Sequence, residues 1–126
     1  MARVLIAEDD TAVREFVRRA LTHGGHEVAV AHDGLDALDH LNNSEEFDLL
    51  ITDIVMPGLD GIELALKVAK DYPQTAILMM TGFAAERQRA HNLDELIHEV
   101  VPKPFSLKQI CDAAEDALSV RKRQLH

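Results

Sequence analysis

The chain has 126 residues, 47% of them hydrophobic, one cysteine and a formal net charge of −9, which fits one domain with a real core. No apolar run approaches the roughly 20 residues a membrane helix needs, the acids at Glu8, Asp9 and Asp10 do not suit a secretory signal, and a lone Cys111 cannot close an internal disulfide. The acidic balance argues against nucleic acid or an anionic membrane as main partner, because phosphates are neutralised by Lys and Arg; a cytoplasmic protein with a protein partner or a cationic ligand fits better.

Val4 to Ala7 read as a short buried strand. Asp9-Asp10-Thr11 then offers acids and a cap at a helix start. Val13, Phe16, Val17, Ala20 and Leu21 recur at helical spacing, with Arg14, Arg18 and Arg19 between them, and Gly24-Gly25 ends the helix. Glu27 to Ala31 alternate as a second strand. Asp33-Gly34 opens a helix through Leu35, Leu38 and Leu41 that stops near Asn42-Asn43. Leu49 to Thr52 form a third strand, buried on both faces and ending in Asp53. After Pro57-Gly58, the pair Asp60-Gly61 leads a helix with Ile62, Ala65, Leu66 and Ala69 inward, ended by Tyr72-Pro73. Thr75 to Met80 make a fourth strand, closed by Thr81-Gly82, and Ala84 to Leu96 a less amphipathic helix. Glu99 to Val101 make a fifth strand, broken by Pro102-Lys103-Pro104. Pro102 has no N–H to donate, which places this strand at an edge. Ser106 caps a last helix through Leu107, Ile110, Cys111, Ala114 and Leu118, and Arg121-Lys122-Arg123 read as a frayed basic tail.

Strand and helix alternate five times. That order implies crossover connections, a parallel sheet and helices on both faces. In such sheets ligands bind at the carboxyl ends of the strands. Asp9 and Asp10 follow strand one, Asp53 ends strand three, Thr81 ends strand four and Lys103 follows strand five. Taken singly, each has an ordinary explanation as a solvated loop acid, a cap, a turn residue or a surface lysine. Their coincidence on one rim marks Asp53 as the candidate reactive group.

The acidic pair, Asp53 before Met56-Pro57, Asp60-Gly61, Thr81 and Lys103-Pro104-Phe105 together resemble a bacterial response-regulator receiver domain, over Val4 to about Val120. The resemblance implies a flavodoxin-like, CheY-like sheet of order 2-1-3-4-5 and a cis Lys103-Pro104 bond. It further implies phosphorylation of Asp53 by a histidine kinase or histidine phosphotransfer protein. Carboxylates gathered on one rim repel one another, and Mg²⁺, which prefers oxygen ligands, relieves this. Asp10, Asp53 and the Val55 carbonyl are expected as direct ligands and Asp9 through a bound water. Glu8, pointing into or beside the sheet, is not assigned to metal. Lys103 and Thr81 would contact the phosphoryl oxygens.

The pattern departs from many receivers at Val100, where an aromatic residue is common three positions before the lysine. Phe83 is then the nearest aromatic candidate for repacking, although a simple place at the core edge suits it too. Gly82 would leave the site accessible, and apolar Val55 and Phe83 would flank its mouth without orienting a water, which implies slow self-hydrolysis. His23 and His26 read as surface residues, Cys111 as buried, and Arg14, Arg18 and Arg19 as either a solvated face or a docking stripe for the phosphodonor.

Asp53-Ile54-Val55-Met56-Pro57, Asp60 to Ala65, Met80 to Ala85 and Val100 are similar to the CpdR group of alphaproteobacterial stand-alone regulators. That likeness implies an adaptor that primes the ClpXP protease through ClpX at the cell pole, and that phosphorylation turns off. No DNA-binding segment is read after the last helix, so output by protein contact or phosphoryl relay is expected. A phosphorelay carrier is the alternative with the same fold. An aspartate-nucleophile phosphohydrolase would need an acid where Val55 stands. A flavin module would need Gly, Ser or Thr in the acidic first loop.

Overall fold

The computed structural model describes residues 2–43, 46–82, 84–90 and 93–124. The elements run β1 (Arg3–Ala7), α1 (Thr11–His23), β2 (Glu27–Ala31), α2 (Gly34–Asn43), β3 (Leu49–Asp53), α3 (Gly61–Asp71), β4 (Ala76–Thr81), α4 (Ala84–Ala90), β5 (Glu99–Pro102) and α5 (Leu107–Gln124). All strand pairs are parallel and the order is β2-β1-β3-β4-β5. This is the flavodoxin-like arrangement expected, with β5 at an edge.

Period-two alternation divides the core between two faces. Val4, Ile6, Leu49, Ile51, Leu78 and Met80 pack with Val17, Ala20, Leu21, Ile110 and Ala114, so α1 and α5 cover one side. Leu5, Ala7, Leu50, Ile77 and Met79 pack with Ala37, Leu41, Leu64, Ala65 and Val68, so α2 and α3 cover the other. Burial on both faces explains why β3 reads as an unbroken apolar run.

Several expected inward residues face out. Phe16, Leu35, Leu66 and Leu107 are all at least 40% exposed. Helical spacing specifies a stripe, but the stripe's centre depends on which neighbour covers it; on α3 that centre falls at Leu64 and Val68, both fully buried. α4 ends at Ala90, well short of Leu96, and a turn leads into β5. The expected frayed tail is instead a continuation of α5. Arg121 is fastened there, donating to the Gln74 carbonyl and pairing with Asp48 at 3.1 Å. His26 is not a surface residue either. Its Nδ1 accepts from the Ala2 N–H at 3.1 Å and its Nε2 lies 2.6 Å from Glu115. Cys111 is only half-buried, its thiol 3.5 Å from the Ala20 carbonyl.

Candidate functional site

Register builds the site. Ala7 lies opposite Thr52, so the next residues of these two strands, Glu8 and Asp53, emerge side by side. Both continue the alternation of Ile6 and Ile51, towards the α1 and α5 side. Asp53 pairs in register with Met80, which puts Thr81 one step further out on the adjacent strand. Thr81 faces Pro102, and its carbonyl accepts the Lys103 N–H at 2.7 Å. The lysine is thereby anchored to the same rim, and the Lys103–Pro104 bond is cis as the resemblance implies.

The side chains converge. Lys103 Nζ donates to Glu8 Oε1 at 2.8 Å and to Asp53 Oδ2 at 2.9 Å. Asp53 is 7% exposed and its Oδ1 accepts the Ile54 N–H. Oxygens of Glu8, Asp9 and Asp53 lie within 4.8 Å of one another. Glu8 is fully buried, and burial pushes its carboxyl up to about 7 against the opposing hydrogen bond from Lys103. Burial works to lower Lys103, but its bonds to Glu8 and Asp53 outweigh that and leave its ammonium above the ordinary range.

This changes the expected division of labour among the acids. Asp10 was expected to bind metal, yet its Oδ1 accepts the Val13 N–H as N-cap of α1. Its own N–H donates to Glu8 Oε2 at 3.1 Å. Glu8, left out of the metal set above, takes the buried place beside Asp53, and Asp9 joins the cluster. The physical reason is the cap. A helix starting at Thr11 draws the preceding carboxylate to its free N–H groups, so the rim is served by the two acids before it.

One lysine against three carboxylates leaves negative charge uncompensated. An all-oxygen donor set of that charge fits a small hard dication, and the Glu8, Asp9 and Asp53 cluster is of the kind that binds Mg²⁺ in CheY-like receivers. Val55 lies in the loop after Asp53 and is 52% exposed, consistent with a place at the mouth. A second trio, His98, Glu99 and Asp116, also lies within 4.8 Å; the 2.7 Å pairing of His98 with Asp116 accounts for it.

Neighbouring residues complete the surroundings of the site. Gly61 packs so closely that a Cβ there would fall 1.9 Å from the Asp53 carbonyl oxygen. At Gly82 a Cβ would meet nothing, so packing does not demand glycine there, in keeping with an open approach. Thr81 is buried and its hydroxyl donates to Glu86 Oε1 at 3.4 Å. Phe83 falls outside the described residues. Val100 is half-buried against the core. On the α1 side, Ala12, Val13, Phe16, Pro104 and Phe105 line an open apolar depression of about 500 Å³ that Lys103 also borders. The rings of Phe16 and Phe105 lie 6.2 Å apart. The expected basic stripe is largely engaged: Arg14 donates to the Glu8 carbonyl at 2.9 Å and Arg18 pairs with Glu15.

Residues 4–115 match the response regulator receiver domain family. The chain belongs to that family. The receiver is 38% identical over 108 residues to the response regulator MprA of Mycobacterium avium, covering 86% of this chain and 47% of MprA. It therefore spans about half the length of the curated relatives it matches. Among solved structures it is similar to a CheY-like receiver domain protein from Methanospirillum hungatei, with 27% identity, a TM-score of 0.90 and 98% of both chains covered. It is also similar to the response regulator TrrA of Thermotoga maritima in complex with Mg²⁺-BeF, with 27% identity, a TM-score of 0.82, and 93% and 99% of the two chains covered. Receivers are two-component signalling modules rather than enzymes with an independent substrate.

Proposed function

We propose that this receiver accepts a phosphoryl group on Asp53 from a histidine kinase or histidine phosphotransfer protein and signals by protein contact. The observation that carries the reading is the pair of hydrogen bonds from Lys103 to Glu8 and Asp53 inside the acidic cluster. Asp53 Oδ attacks the phosphorus of a phosphohistidine; the P–N bond breaks, the imidazole leaves, and an acyl phosphate remains. Lys103 then contacts the transferred oxygens as a point charge, and Thr81 donates its hydroxyl to them. Asp9, Asp53 and the Val55 carbonyl would hold Mg²⁺, with Glu8 beside them. Bound there, the ion would supply charge neutralisation of the transferred group. The apolar shelf of Phe16 and Phe105, next to Lys103, is the surface on which the donor docks. Incubation with radiolabelled phosphodonor tests the assignment: wild type takes up acid-stable, base-labile label, and uptake by Asp53→Asn at the same level overturns it.

Within that role, the stretches shared with the CpdR group favour an adaptor for ClpXP-dependent proteolysis, active when unphosphorylated and acting in the cytoplasm at the cell pole. A phosphorelay carrier or a regulator of a different partner uses the same chemistry, and the MprA and TrrA likenesses favour that broader reading over the adaptor. Pull-down with wild type and Asp53→Asn, each with and without beryllofluoride and read by mass spectrometry, separates them. ClpX recovered only without the mimic supports the adaptor; kinases or phosphotransfer proteins alone support the carrier.

A further inference from the structure

The chemistry above has no role for Glu86, an acid the fold buries to 9% exposure on the first turn of α4. Its Oε1 accepts the hydroxyl of Thr81 at 3.4 Å. One turn further along, Arg89 donates to Asp60 Oδ2 at 2.7 Å. Asp60 is the N-cap of α3 and closes the loop that starts at Asp53. The same face of α4 is thus fastened to both strand-end loops that flank the reactive carboxylate.

A hydroxyl has one proton to donate. Thr81 therefore serves either Glu86 or an oxygen on phosphorylated Asp53, not both. A carboxylate that loses a donor while buried carries a desolvation cost unless it moves to water. We propose that Glu86 is a positioning residue that holds the Thr81 hydroxyl on the α4 side in the resting protein, and that losing this bond is what drives α4 to shift when Asp53 is modified. A ligand shifts a two-state element only by its differential interaction with the two states, and here both states compete for one proton. The second half of the inference rests on the phosphoacceptor reading; the first half does not.

The test reads both halves. Three-bond couplings of Thr81, measured without metal or phosphate mimic, report its χ1 populations in wild type, Glu86→Gln and Glu86→Ala. Beryllofluoride affinity in Mg²⁺ is measured for the same proteins and again in a Thr81→Val background. The expected result is redistributed Thr81 rotamers in Glu86→Ala and mimic binding tighter by on the order of three- to tenfold, the range for an ordinary intramolecular hydrogen bond. Glu86→Gln, which keeps an acceptor without the charge, falls between. In Thr81→Val the effect of Glu86→Ala disappears. Unchanged Thr81 couplings in a folded Glu86→Ala protein overturn the proposal, as does an equal gain in Thr81→Val. Should Glu86→Ala not fold, Glu86→Gln decides by the same couplings. Absence of mimic binding to wild type overturns the phosphoacceptor reading alone, because the couplings still report on Glu86.

Discussion

Glu8 has the most altered chemistry of any single residue at the site. Its carboxyl stands near 7 instead of 4.5 because burial disfavours the charged form. The folded, metal-free protein therefore holds a proton that the unfolded chain has already released across roughly pH 4.5 to 7. The group's contribution is most favourable at the acidic end of that window and is lost as pH rises through 7. Urea unfolding without metal should give a lower stability at pH 8 than the rest of the titration accounts for, and Glu8→Gln should flatten that slope. Asp9 and Asp10 separate by the same logic of place. Asp10→Ala removes an N-cap and should cost about 1 kcal/mol of stability, with Mg²⁺ affinity kept within about twofold. Asp9→Ala should leave stability nearly intact and weaken Mg²⁺ by about tenfold or more, at least the loss typical of a residue supporting a ligand. Magnesium titration followed by NMR, alongside unfolding, distinguishes the two.

At the scale of elements, the site depends on how closely α3 approaches the end of β3. Gly61 opens α3 and its N–H donates to the Ile54 carbonyl at 2.7 Å, with no room for a side chain against the Asp53 backbone. Gly61→Ala should destabilise the fold by about 2–3 kcal/mol, as overpacking against main chain does. It should also slow phosphoryl uptake by displacing Asp53; denaturation and labelling rates check both effects. α4 is fastened differently, by Glu86 and Arg89 through polar bonds, and Ala90 is buried. α5 is held far from the site by Arg121 on Asp48 and by His26 on Glu115, which ties the helix to the opposite end of the sheet.

For the molecule as a whole, the acid cluster is a local excess of negative charge in a chain already at −9. Binding that neutralises it must stabilise the fold by mass action. At Mg²⁺ and beryllofluoride concentrations about 100-fold above the dissociation constant, stability should rise by about 2.7 kcal/mol. Thermal unfolding should show that gain in wild type and lose it in Asp53→Asn.

Alternation of strand and helix, the burial of β3 on both faces, and the positions of Asp53, Thr81 and Lys103 were all legible from residue order. Side-chain period and turn chemistry are local properties, and a parallel sheet brings every strand end to one rim. Residue order could not say which of three consecutive acids faces the rim, since that is settled by the competing demand of a helix for a cap and by the register of β1 on β3. Nor could it place Phe16 beside Phe105, Glu86 beneath Thr81, or Arg121 on Asp48. Those partners lie on different elements, and only packing the helices onto the sheet selects among the many charged and apolar residues that periodicity leaves equivalent.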